Sequence, residues 1–394
     1  MNKTMNKPYP LASSSWDKSE LDAINNVISS GNFSMGKYVK LFEEKFAQTF
    51  DSKYSVMVNS GSSANLLAIA SLFYREKNPL KRGDEVIVPA VSWSTTYSPL
   101  QQYGLKLKFV DIDLNTLNYD LKSLKSAVTS NTRLIIAVNL LGNPNNFTII
   151  NKIIGDKNID IVEDNCESMG AEYESKKTGS IGLLGTFSSF FSHHISTMEG
   201  GIICTDNREI YEIILSLRAH GWTRNLDNDN LLCKKNKNNF TESFRFILPG
   251  YNVRPLEFSG AIGIEQLKKL PNFIIQRKNN HEVFKGLFEN DERFIIQKEI
   301  GSSSWFGFSF ILKKDLDFDR DDLFKILDRN NIDYRPIVSG NFCSSESLKY
   351  YNYEIHGKIS NAEYLDRNGF FVGNHHYDLT EQIKKLHKIL KTIN

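Results

Sequence analysis

The stretch LIIAVNLLGNPNNFTIINKIIGDKNIDIVEDNCES, residues 134 to 168, decides the fold. It holds an apolar run, a crossover-sized segment with a helical pattern, and a second apolar run that stops at Glu163 and Asp164. A connection of that size joins parallel strands, since antiparallel neighbours need only a short turn. The alternation continues outward, with YSVMV (54–58), EVIVPA (85–90) and LKFVDI (107–112) before it, and TFSSFF (186–191) and GGIICT (200–205) after it. Runs so continuous in apolar residues are strands covered on both faces, which predicts an α/β fold with a mainly parallel sheet. Ligands of such sheets gather beyond the carboxyl ends of the strands. Three polar motifs, NSGSSAN, VSWSTT and EDNCES, each follow a strand and are expected to share that rim.

Composition narrows the classes of function. The 48 basic and 46 acidic residues leave a formal charge of +2, too little for a field that would gather nucleic acid or an anionic membrane. No apolar run approaches the roughly 20 residues of a membrane span, and MNKTMNKPYPLASSSWD at the start lacks a signal peptide's apolar core, so a cytoplasmic protein is expected. Cys166, Cys204, Cys233 and Cys343 are scattered, which suggests reduced thiols rather than a disulfide framework, zinc ribbon or iron–sulfur cluster.

Beyond residue 207 the pattern changes. A helix carries LSLRAHGW, and NLDNDNLLCKKNKNN (225–239) has little to bury and reads as a surface loop. Helical pattern returns with LPGYNVRPLEFSGAIGIEQLKKL, and the strand WFGFSFILKK and helix RDDLFKILDRN predict a smaller α/β domain. The division is placed near residue 260, giving a large domain of residues 1–260 and a small one of residues 261–394.

Several residues carry chemistry. A phosphate monoester needs clustered donors, and a helix expected to begin near Ala64 offers free N–H groups and the favourable end of its dipole. Gly61 would let the backbone approach, while Ser62 and Ser63 add hydroxyls; an ordinary Gly-Ser helix cap has the same sequence. Asp164, at a strand end, is either a solvated terminus or the partner of a buried cation. Trp93 offers an aromatic face to a ligand or fills the core. His193 and His194 are vicinal, so on a non-helical segment only one should face a given site. No accompanying spacing makes them a metal site. An imidazole, with a reference pKa of about 6.5, suits moving a proton at neutral pH.

Together these segments resemble the DegT/DnrJ/EryC1/StrS family of nucleotide-sugar aminotransferases. The resemblance runs almost end to end, through YPLASSSWD, VPAVSWSTTYSPLQQYG, VNLLGNPNNF, EDNCESMGA, RAHGWTRN, LPGYNVRPLE, GAIGIEQLKKLP, SSWFGFSF and FVGNH. It implies a fold-type I architecture, with a mixed, mainly parallel seven-stranded sheet and a small C-terminal domain. It also implies pyridoxal 5'-phosphate as cofactor and a homodimer with active sites at the interface. By the same resemblance, Gly61, Ser62, Ser63 and Ser188 would hold the cofactor's phosphate, Asp164 its pyridine nitrogen, and Trp93 the face of its ring. Glu167 would lie near the ring hydroxyl, where relatives place glutamine or histidine, and Asn252 would reach the phosphate of the partner's cofactor. His220, Arg224 and Arg335 would lie near the sugar.

One residue departs from the family pattern F-S-F-H-x-x-K-x-x-T-T-G-E-G-G. In TFSSFFSHHISTMEGG (186–201), six residues before Glu199, His193 replaces the lysine that tethers the cofactor. An imidazole cannot form that link but can carry a proton, so elimination is expected in place of amination. L-Glutamate would charge the cofactor to pyridoxamine 5'-phosphate, releasing 2-oxoglutarate. By resemblance alone, the substrate would be GDP-4-keto-6-deoxy-D-mannose, which would then lose its C3 hydroxyl, with release of ammonia, on the way to a colitose-type dideoxysugar. The alternatives are an aminotransferase using Lys176 or Lys177 or resembling a perosamine synthase, a dehydratase for another nucleotide-linked keto sugar, and a silent sugar-nucleotide-binding protein.

Overall fold

The structure, a computed structural model, describes residues 8–393; the first seven residues of the N-terminal segment, read above as lacking a signal peptide's apolar core, lie outside the described residues. The seven expected strands are β1 Tyr54–Val58, β2 Glu85–Pro89, β3 Lys106–Val110, β4 Thr132–Val138, β5 Asp160–Asp164, β6 Leu184–Ser188 and β7 Gly201–Thr205. They share one sheet in the order β1-β7-β6-β5-β4-β2-β3. Pairing is parallel from β3 across to β6 and antiparallel on both sides of β7. An eighth strand corrects the expected seven: Tyr353–Ile355 pairs in parallel with the outer edge of β3. Lys108 of β3, nearly buried, meets Glu85 at 2.6 Å and Glu354 of the added strand at 3.1 Å.

The helix after β1 starts at Gly61, three residues before the expected Ala64, and runs to Tyr74. Ser60 sets the start, because its Oγ accepts the Ser63 N–H at 3.1 Å and so caps the first turn. This helix is apolar nearly all round and lies between the sheet and the helices Ser94–Gln102 and Arg208–Arg218. Close packing at its start requires two glycines. A Cβ on Gly61 would stand 2.8 Å from that of Ser188, and one on Gly201 would stand 2.1 Å from the Ser60 carbonyl oxygen.

The 260/261 division falls inside a 32-residue helix, Glu257–Phe288. Its early turns pack on the helices Lys18–Ser30 and Lys37–Thr49, and Glu257 accepts the N–H groups of Gly36, Tyr38 and Val39 at the start of the latter. Its last turns put Phe284 and Phe288 into a second core. That core covers an antiparallel sheet ordered Phe294–Ile296, Gly307–Leu312, Gly369–Gly373, Tyr334–Arg335. Tyr9 belongs to the second core as well, so Tyr9 and the strand Tyr353–Ile355 each sit with the sheet on the far side of that division. The 225–239 stretch holds neither helix nor strand before Asn239. The four cysteines are unpaired, and among the described residues no helix is long and apolar enough to cross a membrane.

Candidate active site

The ends of β1, β2 and β5, the loop after β6 and the edge of the small sheet enclose a cavity of about 330 Å³. Gly61, Ser62, Trp93, Asp164, Glu167 and Ser188 line it, together with His193 and Arg335. Among the described residues, no lysine lines it. Lys176 and Lys177 form a two-residue strand elsewhere, where Lys177 pairs with Glu172.

Gly61 and Ser62 are the first two residues of their helix, so their N–H groups have no intrahelical acceptor and point at the site. The Ser188 Oγ, packed against Gly61, accepts only the Phe190 N–H at 3.3 Å and keeps its own proton to donate. Ser63 is turned elsewhere: its hydroxyl donates to Asn59 at 2.7 Å, and it is absent from the cavity wall. Asp164 is fixed by three donors, Asn65 Nδ2 at 3.0 Å and Thr96 Oγ1 at 2.7 Å on one oxygen and the Cys166 N–H at 3.1 Å on the other. Asn65 and Thr96 are functional positions that the sequence reading passed over, although both sit within quoted motifs. Asn65 lies four residues past Gly61, hence on the same helix face.

Glu167 accepts the Leu141 N–H at 3.0 Å. Burial pushes its carboxyl up to about 7, the Asp164 charge adds to the rise, and the Leu141 hydrogen bond opposes it. The His193 ring packs between Phe190 and Phe306, with centroids 6.0 and 5.2 Å away, and its Nδ1 is buried without a partner. Burial, with the Arg277 charge second, pulls its pKa down to about 4, well below the value of a free imidazole on which the sequence reading relied. It is therefore neutral, the form that accepts a proton. His194 points the other way, buried with Nε2 3.2 Å from the Ser304 carbonyl.

His220, Arg224 and Asn252 are not in this cavity. The Arg224 guanidinium lies 4.3 Å from the Trp222 ring, His220 packs on the same ring at 4.6 Å, and Asn252 accepts from Arg254 Nε at 3.0 Å. Exposed Phe244 lies 5.5 Å from the Arg224 guanidinium and exposed Phe246 lies 6.0 Å from the Trp222 ring, making this an aromatic and cationic face on the surface.

The lining residues suit one cofactor chemistry. Two free N–H groups and a serine hydroxyl answer a phosphate, an oriented carboxylate answers a protonated ring nitrogen, and an exposed indole answers the ring face. The sequence profile of the DegT/DnrJ/EryC1/StrS aminotransferase family matches residues 14–391. The chain belongs to that family. A GDP-4-keto-6-deoxy-D-mannose 3-dehydratase of Escherichia coli O55:H7 is 60% identical over 385 residues, covering 97% of this chain and 99% of that protein. The solved E. coli GDP-4-keto-6-deoxy-D-mannose-3-dehydratase with bound hydrated PLP superposes with a TM-score of 0.96 at 60% identity, over 98% of this chain and 99% of that one. A GDP-4-keto-6-deoxymannose-3-dehydratase with a trapped PLP–glutamate geminal diamine gives the same score and identity over 97% and 100%. The pyridoxal-phosphate cofactor expected from the DegT/DnrJ/EryC1/StrS resemblance thus fits both the donor set and the relatives.

Proposed function

We propose that the protein is a pyridoxal-phosphate-dependent dehydratase that converts GDP-4-keto-6-deoxy-D-mannose to GDP-4-keto-3,6-dideoxy-D-mannose. L-Glutamate is consumed, and 2-oxoglutarate and ammonia leave. The observation that carries this reading is a cavity whose lining sets Gly61, Ser62, Ser188 and Asp164 beside His193 and, among the described residues, no lysine. The relatives' names supply the substrate.

When bound, the cofactor exchanges an amino group with glutamate and serves as an electron sink. Asp164 keeps the proton on the ring nitrogen, and Gly61, Ser62 and Ser188 hold the phosphate without a covalent tether. Trp93 would cover the ring, and Glu167 would lie near its hydroxyl. Neutral His193 would serve as the proton carrier: its imidazole would accept a proton beside the bound cofactor, and the imidazolium so formed would donate it to the departing C3 hydroxyl, which would leave as water. Arg335 supplies a cation for the anionic sugar nucleotide. The sugar loses one oxygen, the two electrons required come from glutamate, and the transferred nitrogen departs as ammonia.

The working unit is a homodimer in the cytoplasm. Asn252 and the exposed aromatic face around Trp222 lie against the partner, where Asn252 reaches the phosphate of the partner's cofactor, with His220 and Arg224 near the sugar. Incubation with pyridoxal phosphate, L-glutamate and GDP-4-keto-6-deoxy-D-mannose, read by mass spectrometry of the sugar nucleotide, tests the activity. Loss of one oxygen without gain of nitrogen is expected. An amino sugar would overturn the reading, and glutamate consumption with an unchanged sugar would assign the chemistry to another nucleotide sugar.

A further inference from the structure

Ser196 lies three residues beyond His193, and side chains from distant segments hold both of its backbone polar groups. Its N–H donates to Gln266 Oε1 at 3.0 Å, and its carbonyl accepts the indole N–H of Trp16 at 2.9 Å. Gln266 is wholly buried and itself fixed, accepting from Ser15 Oγ at 2.6 Å and donating to Glu20 Oε1 at 2.8 Å. Ser15 and Trp16 end a strap that begins on the small sheet. There Tyr9 enters the second core, the Leu11 N–H donates to Asp333 at 3.2 Å, and the two His375 nitrogens lie 2.8 Å from the Pro10 carbonyl and 2.9 Å from Ser13 Oγ.

We propose that Trp16 is a positioning residue for His193: with Gln266 it pins Ser196, so that the loop 189–200 presents the imidazole to the cavity, and residues 9–16 tie that presentation to the small sheet bearing Arg335. The inference rests on His193 being the proton carrier. A lysine at this position would be anchored covalently to the cofactor. His193 has no such anchor and no partner on its buried Nδ1, so the protein alone must hold the loop in place. The stem is closed by backbone bonds from Ser189 to the Gly200 carbonyl at 2.9 Å and from Thr197 to the Ser189 carbonyl at 2.8 Å. Trp16 acts farther along, between Thr197 and His193. An indole offers one donor at the end of a rigid side chain and no acceptor, so its hydrogen bond cannot be exchanged for the reverse one.

The test compares Trp16→Phe, which keeps an aromatic ring but removes the donor, with Asp17→Asn. Asp17 is the next residue; it caps the helix Lys18–Ser30, and its partners are Ser19, Glu20 and Lys269. The readouts are kcat and KM of the glutamate half-reaction, amide hydrogen exchange over 193–198 without cofactor, and the melting temperature. Trp16→Phe is expected to lower kcat on the order of tenfold with little change in KM, the scale of a small misplacement of a catalytic group, and to speed exchange in the loop. Asp17→Asn, which keeps a capping oxygen but loses the 2.9 Å ion pair with Lys269, is expected to lower the melting temperature alone. Full kcat in Trp16→Phe, unchanged exchange, or kcat loss that tracks melting temperature in both variants would overturn the proposal. Wild-type enzyme that consumes glutamate but leaves the sugar intact would sink the substrate assignment without touching this comparison.

Discussion

His193 and Glu167 face one cavity with their protons displaced in opposite senses by the same burial. The imidazole is held neutral down to about pH 4 and the carboxyl stays protonated up to about 7. His193→Asn should therefore retain cofactor and slow 2-oxoglutarate release by about a hundredfold or more, the usual worth of a positioned acid–base group, measured with cofactor occupancy checked by absorbance. His193→Lys should make the cofactor stay with the chain when the enzyme is reduced with borohydride before denaturation. Glu167 gives a pH dependence with a definite sign. Below its displaced pKa it is neutral; above it, a second negative charge appears beside Asp164 in a cavity that must take an anionic phosphate. Cofactor affinity should thus fall as pH rises from 6 to 8, and Glu167→Gln should flatten that slope in a binding titration; an unchanged slope would remove Glu167 from the vicinity of the ring. Both residues were legible in the sequence by motif. Their protonation was not, because it depends on burial and, for His193, on the charge of Arg277, which no spacing from His193 or Glu167 announces.

At the scale of elements, the phosphate seat proposed at Gly61, Ser62 and Ser188 depends on how closely a helix start approaches a strand end. Gly61→Ala places a methyl carbon 2.8 Å from Ser188 Cβ and must separate the N–H donors from the serine hydroxyl. Losing one charge-assisted hydrogen bond predicts on the order of tenfold weaker cofactor binding, with the melting temperature of the cofactor-free protein reporting any separate cost. Strands β1 to β7 could be read from sequence because burial on both faces demands unbroken apolar runs. Tyr353–Ile355 could not, since a three-residue edge strand, half exposed and carrying Glu354, needs no such run. The helix start was misplaced because Ser60, Ser62 and Ser63 are all competent caps, and only the structure shows that Ser60 accepts the bond. Asn65 and Thr96 went unnamed for a related reason: their function is to orient Asp164, 99 and 68 residues away in sequence.

At the scale of the whole molecule, exposed Phe244 and Phe246 with Trp222 beside two arginines describe a face that water covers poorly. Light scattering should find two chains per particle. Dilution until they part should release cofactor and activity together, whereas loss of neither would refute a shared site. The strand Tyr353–Ile355 has a consequence for synthesis on the ribosome. The outer edge of β3 is complete only after residue 355 has been made, while β3 itself is finished by residue 110. At about 5–20 residues per second, the growing chain must carry an open β-edge, with Lys108 lacking Glu354, for on the order of ten seconds or more. During that interval the unfinished polypeptide is most exposed to pairing with a neighbour, and it is then that a chaperone would have the most to protect.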